Sequence, residues 1–257
     1  MRSVRLIQFT DTHLRGQTAA TFKGIDTLAS LTAAVAHGAQ RFAKPDGVLL
    51  TGDLVDEDPT GYRWIRQLFG SSTVPVLCLA GNHDSPDDMR NALAGAPFQF
   101  GGQMRFDRWL VVMLDTWVAG SAAGRLGKDQ LQDLERTLSA HRNDHVLLCL
   151  HHHPVAMRSR WLDTVGLEDA DEFVRLIRRS SNVRGVLWGH VHQALDNFLY
   201  GVRFMASPAT CAQFLPGSDD FAMDARPPGY RVLELMPDGS IATEVVWLES
   251  FAARSVA

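Results

Sequence analysis

Val74-Pro75-Val76-Leu77-Cys78-Leu79-Ala80-Gly81-Asn82-His83-Asp84 runs from an apolar stretch straight into a polar cluster. The first seven residues read as a short buried strand. Gly81 ends it and three residues able to bind or move charge follow. Working outward, the same event recurs at four other places. Val4–Phe9 leads to Asp11-Thr12-His13, and Gly47–Thr51 leads to Gly52-Asp53. Val146–Leu150 leads to His151-His152-His153-Pro154, and Val183–Trp188 leads to Gly189-His190-Val191-His192. Ligands of open α/β sheets gather beyond the carboxyl ends of the strands, so five such strands can build one site. Of the ten histidines, seven fall in these clusters: 13, 83, 151, 152, 153, 190 and 192.

Between the strands, apolar residues recur at helical spacing. They predict helices over 24–43, 60–69, 86–94, 127–141 and 168–179. Strand-like runs occupy 103–106 and 109–115. From 195 onward the chain reads as strands at 195–200, 202–206, 230–236 and 241–248, with turns at Pro216-Gly217 and Pro237-Asp238-Gly239. Alternating strands and helices give an α/β layered fold. No linker, repeat or low-complexity segment divides residues 1–257, so a single domain is expected.

The chain has 257 residues, 46% of them hydrophobic and 21% charged, which excludes a disordered or collagenous protein. A net charge of −4 argues against a nucleic-acid partner, which needs a basic face. A small anionic substrate stays open, because a metal ion supplies positive charge locally. Cys78, Cys149 and Cys211 are scattered and odd in number, so no disulfide framework is expected. No apolar run is long enough to span a membrane, and no cleaved leader is expected to include Asp11 and His13 if they do chemistry. A cytoplasmic protein is the expectation.

Asp, Asn and His form a nitrogen and oxygen donor set. It suits Fe, Mn, Zn or Co and argues against a thiolate-bound structural zinc. The supply exceeds what one metal needs, and two metals bridged by a carboxylate account for it. Taken singly, each cluster could be a turn or a helix cap; together they point to one centre. His37, His141 and His145 read as surface groups. Trp64, Trp109, Trp117, Trp188 and Trp247 read as core, whereas Trp161 is a candidate for contacting a base or shaping the pocket.

The ordered set D-x-H, G-D, G-N-H-D, H-H-P and G-H-x-H resembles the signature of calcineurin-like metallophosphoesterases and spans residues 11 to 192. The resemblance implies a four-layer α/β/β/α sandwich of two mixed sheets, with the strands of 195–257 completing the second sheet. It implies one metal on Asp11, His13 and His192, a second on Asn82, His190 and His152, and Asp53 bridging them. Fe and Mn come first as the metals, Zn and Co after them. His152 is named because the family ligand lies two residues before the proline. A strand entering the site alternates its faces, so His151 and His153 should point away from His152.

Trp161-Leu162-Asp163, Ser207–Phe214 and Pro228–Leu235 make the chain similar to a narrower branch, the bacterial class III cyclic-nucleotide phosphodiesterases. That similarity implies hydrolysis of 3′,5′-cyclic AMP to 5′-AMP by in-line attack of a metal-bridging hydroxide. His83 would protonate the leaving 3′-oxygen and Asp84 would orient His83. His13, Asp53, Asn82, His83 and His192 would face the substrate. The loops at 55–60 and 117–126 match no substrate pattern. Alternatives are another phosphodiester (a glycerophosphodiester, cyclic GMP or a 2′,3′-cyclic nucleotide), a phosphomonoester, or a non-catalytic scaffold. A homodimer is left open.

Overall fold

In the computed structural model, strand residues alternate between two different apolar environments, and this alternation makes the layers. The structure describes residues 2–249 and 251. Met1, Ser250 and 252–257, the end of the expected C-terminal segment, lie outside the described residues.

In chain order the sheet strands are β1 (Val4–Phe9), β2 (Gly47–Thr51), β3 (Val76–Leu79), β4 (Phe98–Phe100), β5 (Gly102–Phe106), β6 (Trp109–Met113), β7 (His145–Cys149), β8 (Val183–Trp188), β9 (Leu195–Leu199), β10 (Val202–Ala206), β11 (Gly229–Leu235) and β12 (Ile241–Trp247). One six-stranded sheet runs β12-β11-β1-β2-β3-β4 and the other β9-β10-β8-β7-β6-β5. Both are mixed: β1 to β4 are parallel, as are β6, β7, β8 and β10, with antiparallel strands at the margins.

Successive side chains of a strand point to opposite faces. Leu49, Leu77 and Leu79 of the first sheet therefore meet Val111, Leu147 and Leu187 of the second in a shared core. Their neighbours Val48, Leu50, Val76 and Cys78 face outward, onto α1 (Thr27–Arg41), α2 (Tyr62–Phe69) and α3 (Pro86–Ala92). Val112, Leu148 and Val186 pack against α4 (Gly127–Ala140) and α6 (Ala170–Arg179). The short α5 (Arg160–Asp163) precedes α6. Three apolar interlayers separate four layers, α/β/β/α. No described helix is long and apolar enough to cross a membrane. All three cysteines are free and buried.

The segment after 195 departs from expectation. β9 and β10 complete the second sheet, but β11 and β12 extend the first, with β11 pairing antiparallel to β1. An amphipathic strand fits the edge of either sheet equally, so pattern alone does not choose. His145 also differs. It is buried at the start of β7, 5.4 Å from Trp109 between ring centres, rather than at the surface.

The two sheets are also clamped by a polar ladder. Gln8 on β1 donates to Thr51 Oγ1 at 2.7 Å and accepts from Ser207. Arg231 on β11 is 1% exposed and reaches across to the second sheet. It donates to Ser207 Oγ at 3.1 Å, Leu195 O at 3.0 Å and Ala206 O at 2.7 Å, and within its own sheet to Thr243 Oγ1 at 3.1 Å. Burial lowers its pKa to about 10, so it remains charged at neutral pH. Arg231→Ala leaves these acceptors unsatisfied and should cost about 3 kcal/mol, a fall in Tm of roughly 6–12 °C by calorimetry. Arg231→Lys should not restore the loss, because a point ammonium cannot span the fork.

Candidate metal centre

The loops that leave β1, β2 and β8 turn sharply. Asp11, His13, Asp53, His190 and His192 all have φ between 45° and 67°. Non-glycine residues avoid this left-handed region unless surrounding contacts hold them there. Here the holding contacts are visible. The first two loops run side by side, with Asp11 N–H donating to Gly52 O at 2.9 Å and His13 N–H to Asp53 O at 3.0 Å. Both carboxylate oxygens of Asp11 accept the His190 N–H, at 2.9 and 3.0 Å, joining the two sheets. Asp53 Oδ1 accepts the His83 N–H at 2.9 Å. The glycines of the motifs are required by close approach: a Cβ at Gly81 would collide with the Asp53 carboxylate, and one at Gly52 with the His151 ring.

These turns aim the side chains at one another. His13 Nε2 lies 3.2 Å from His192 Nε2, and His192 Nε2 lies 3.4 Å from Asp11 Oδ1. Asp53 Oδ2 is 3.8 Å from His13 Nε2 and 3.3 Å from His151 Nε2, which is also 3.3 Å from Asn82 Oδ1. Ligand atoms of Asp11, Asp53 and His151 lie within 4.8 Å of each other, as do those of His151, His152 and His190. Asp53 thus stands between two groups of donors. All of these residues except Asn82 are buried.

Hydrogen bonds on the far side of the rings fix which nitrogen faces the centre. His151 Nδ1 is 2.8 Å from Thr51 O, and His192 Nδ1 is 2.7 Å from Ala212 O. A carbonyl only accepts, so both Nδ1 atoms donate and each ring turns its Nε2 inward, the nitrogen that would ligate a metal once unprotonated. His190 Nε2 and His152 Nε2 are buried with no hydrogen-bond partner. Burial, followed by repulsion from His152, holds the His190 pKa well below its ordinary value, so this ring is neutral and able to ligate. Burial opposes charging of His151, yet Asp53 raises its pKa to about 9. Burial likewise opposes Asp53 ionisation, but His151 holds that carboxyl well below the usual range. Inward lone pairs converging on carboxylates need a cation among them, and this nitrogen and oxygen donor set fits divalent metal ions. Cys211 adds no thiolate. Its thiol donates to Asp11 O at 3.0 Å, and burial raises its pKa well above normal.

Three placements differ from the sequence expectation. The first is His151, which does not point away but meets Asp53 and Asn82, while His152 turns Nδ1 to the Thr116 hydroxyl at 2.8 Å and keeps its unpartnered Nε2 in the donor group of His151 and His190. β7 ends at Cys149, so strand alternation no longer governs the cluster, and the rings of His151 and His152 stand 4.9 Å apart at 88°. The second is Asp84, which does not orient His83. It accepts from Leu54 N–H at 3.1 Å, Val55 N–H at 3.2 Å, Gly81 N–H at 2.9 Å and the Tyr62 hydroxyl at 2.8 Å, tying the loops after β2 and β3 together. The third is the group beside His83, which is Asp56. Its Oδ1 lies 3.3 Å from His83 Nδ1 and 3.7 Å from His13 Nδ1, and its Oδ2 accepts from Arg15 Nε at 2.9 Å. Burial lowers the His83 pKa, but Asp56 prevails and raises it to about 9.

Two aromatic rings also escaped the sequence reading. Phe22 stacks on His13 with ring centres 4.0 Å apart, and Phe214 on His192 at 4.1 Å. Nothing local marks Phe22; Phe214 lies in one of the stretches similar to the cyclic-nucleotide phosphodiesterases, without a role attached.

The model of the calcineurin-like phosphoesterase family matches residues 4–194. The chain belongs to the calcineurin-like phosphoesterase family. Members of this family are metal-dependent hydrolases with a dinuclear centre. A Vibrio vulnificus protein named 3′,5′-cyclic adenosine monophosphate phosphodiesterase CpdA is 38% identical, over 96% of this chain and 91% of that protein. A Pseudomonas aeruginosa protein of the same name is 36% identical, over 95% and 89%. Among solved structures, a dimetal phosphatase from Danio rerio superposes with a TM-score of 0.67 at 14% identity, over 98% of this chain and all of that one. It shares the calcineurin-like phosphoesterase fold.

The geometry separates the two neighbouring histidines by experiment. His151→Ala is expected to lose one of two bound ions, measured by elemental analysis after reconstitution, whereas His152→Ala should keep both. The reverse result would return the ligand position to His152.

Proposed function

We propose that this chain hydrolyses 3′,5′-cyclic AMP to 5′-AMP with two metal ions. Asp11, His13, Asp53 and His192 hold one ion. Asp53, Asn82, His151 and His190 hold the other. The observation that carries the chemistry is the convergence of buried lone pairs around Asp53, with His190 Nε2 left without a partner. The substrate rests on the names of relatives that are 36–38% identical over nearly the whole chain. Iron and manganese suit the donor set first, then zinc and cobalt. Three free buried cysteines suit a reducing, cytoplasmic setting, and the net charge of −4 suits a small substrate better than a polynucleotide.

When bound, the ions lower the pKa of water at the site toward neutrality and offset charge on the phosphate oxygens. The rest falls to side chains. His83 turns Nδ1 toward Asp56, which leaves Nε2 to face the substrate. Its raised pKa keeps it protonated at neutral pH, so it can deliver a proton to the departing 3′-oxygen. Asp56, itself held by Arg15, positions the ring. Asp84 keeps the loops carrying Asp53 and Asn82 in register.

Metal-free protein given Mn(II) or Fe(II) should convert cyclic AMP to 5′-AMP, followed by chromatography, with bis(p-nitrophenyl) phosphate run alongside. Turnover should require metal and vanish in Asp53→Ala together with the bound ions. Hydrolysis of the synthetic diester but not of cyclic AMP would keep the reaction class and discard the substrate.

His83→Ala should keep its metals and lose about 10²–10⁴-fold in kcat. Asp56→Asn should lower kcat by about 10-fold or more with little change in KM, as expected for a group that acts through His83. A His83→Ala enzyme with normal kcat would remove the acid assignment.

A further inference from the structure

Beside the centre a short hairpin exposes large apolar side chains. Gln213–Phe214 pairs with Met223–Asp224. Leu215, Phe221 and Met223 on this hairpin are 42, 48 and 40% exposed, half of the exposed large hydrophobic residues among those described. Such concentration on one element marks a binding surface. The hairpin is fastened at both ends. Phe214 N–H donates to His192 O at 3.1 Å, and Asp219 O accepts the Trp161 N–H at 3.2 Å.

The rings meet edge to face. Trp161 is 5.3 Å from both Phe214 and Phe221, and Phe214 is 5.4 Å from Phe221. Phe214 in turn stacks on His192, so the cluster begins at the metal centre and runs outward. Across the mouth, Lys23 Nζ lies 5.0 Å from the Phe221 ring centre and 5.7 Å from that of Phe22, which covers His13.

We infer that Trp161, Phe214 and Phe221 form an aromatic shelf that binds the purine base of the nucleotide, with Lys23 at its rim. The inference rests on the proposed function. With the phosphate held at His13 and His192, the nucleoside must extend outward from them. Phe221, 48% exposed, is the outermost ring of a cluster whose buried member Phe214 stacks on His192. Aromatic faces hold bases by stacking in a way that tolerates base identity. The shelf should therefore favour nucleotides over base-free phosphodiesters while discriminating weakly between adenine and guanine.

The test compares 5′-AMP with ribose 5-phosphate, by calorimetric titration of the metal-loaded protein. Wild type should bind 5′-AMP at least about 10-fold more tightly. Phe221→Ala and Trp161→Ala should each weaken 5′-AMP by about 10-fold and move ribose 5-phosphate by less than about 2-fold. In turnover the loss should fall on KM for cyclic AMP rather than on kcat, and Phe221→Trp should recover it. Equal weakening of both ligands, or none, overturns the shelf. So does a changed oligomeric state on sizing with unchanged affinities, which would make the hairpin a contact between copies. If wild type turns over cyclic AMP yet binds the two ligands equally, the shelf alone fails. If wild type does not turn over cyclic AMP, the functional reading fails and takes the shelf with it.

Discussion

Five side chains of the centre sit on backbone that non-glycine residues avoid. Asp11, His13, Asp53, His190 and His192 hold left-handed conformations at the exits of three strands. Each costs of order 1–3 kcal/mol, so the arrangement exists only because its surroundings overdetermine it. The decisive contact is the Asp11 carboxylate on the His190 N–H. It fastens the exit of β1 in one sheet to the exit of β8 in the other. Without it the two halves of the centre would belong to two separate sheet edges. The polar ladder of Gln8, Ser207 and Arg231 does the same work one layer down, between sheets whose shared core is otherwise largely apolar.

This explains why sequence outside the metal motifs matters to the centre. Ser207–Phe214 holds no proposed ligand, yet every part of it is engaged. Ser207 bridges Gln8 and Arg231, Thr210 N–H donates to Thr10 O, Ala212 O orients His192, and Phe214 covers the same ring. A ligand histidine needs a fixed tautomer and a fixed plane. The Ala212 carbonyl supplies the first for His192 and the Phe214 ring the second.

The layers and the edge that carries chemistry were legible because both follow from local periodicity. β1, β2 and β8 stand where their apolar runs place them, and each ends where a polar cluster begins. What failed had non-local causes. Pointing His151 away from His152 assumed that alternation continues past Cys149, but the chain has already left the strand. Asp84 looked like a partner for its neighbour His83. Its actual partners are main-chain N–H groups of another loop, invisible to any residue pattern. Asp56 lies in a loop with no period at all. β11 and β12 carry the same amphipathic signal whichever sheet they join, and the choice is made by the free side of β1.

The charge balance of the centre bears on what it can bind. Asp11, Asp53 and Asp56 bring three carboxylates to one buried edge, while Arg15 pairs with Asp56 alone and Lys23 stands at the rim. Without bound ions these carboxylates, against the penalty of burial, draw protons onto His83 and His151, whose pKa values rise to about 9, so the chain's own groups roughly balance and offer a phosphodiester little net positive charge. Two divalent ions would more than cancel Asp11 and Asp53 and would reverse the sign of the site. An amide at Asn82 rather than a carboxylate beside His151 adds no further negative charge there. An acidic protein can in this way present a locally cationic cleft, and affinity for the phosphate follows the occupancy of the metals while affinity for the rest of the molecule belongs to the chain.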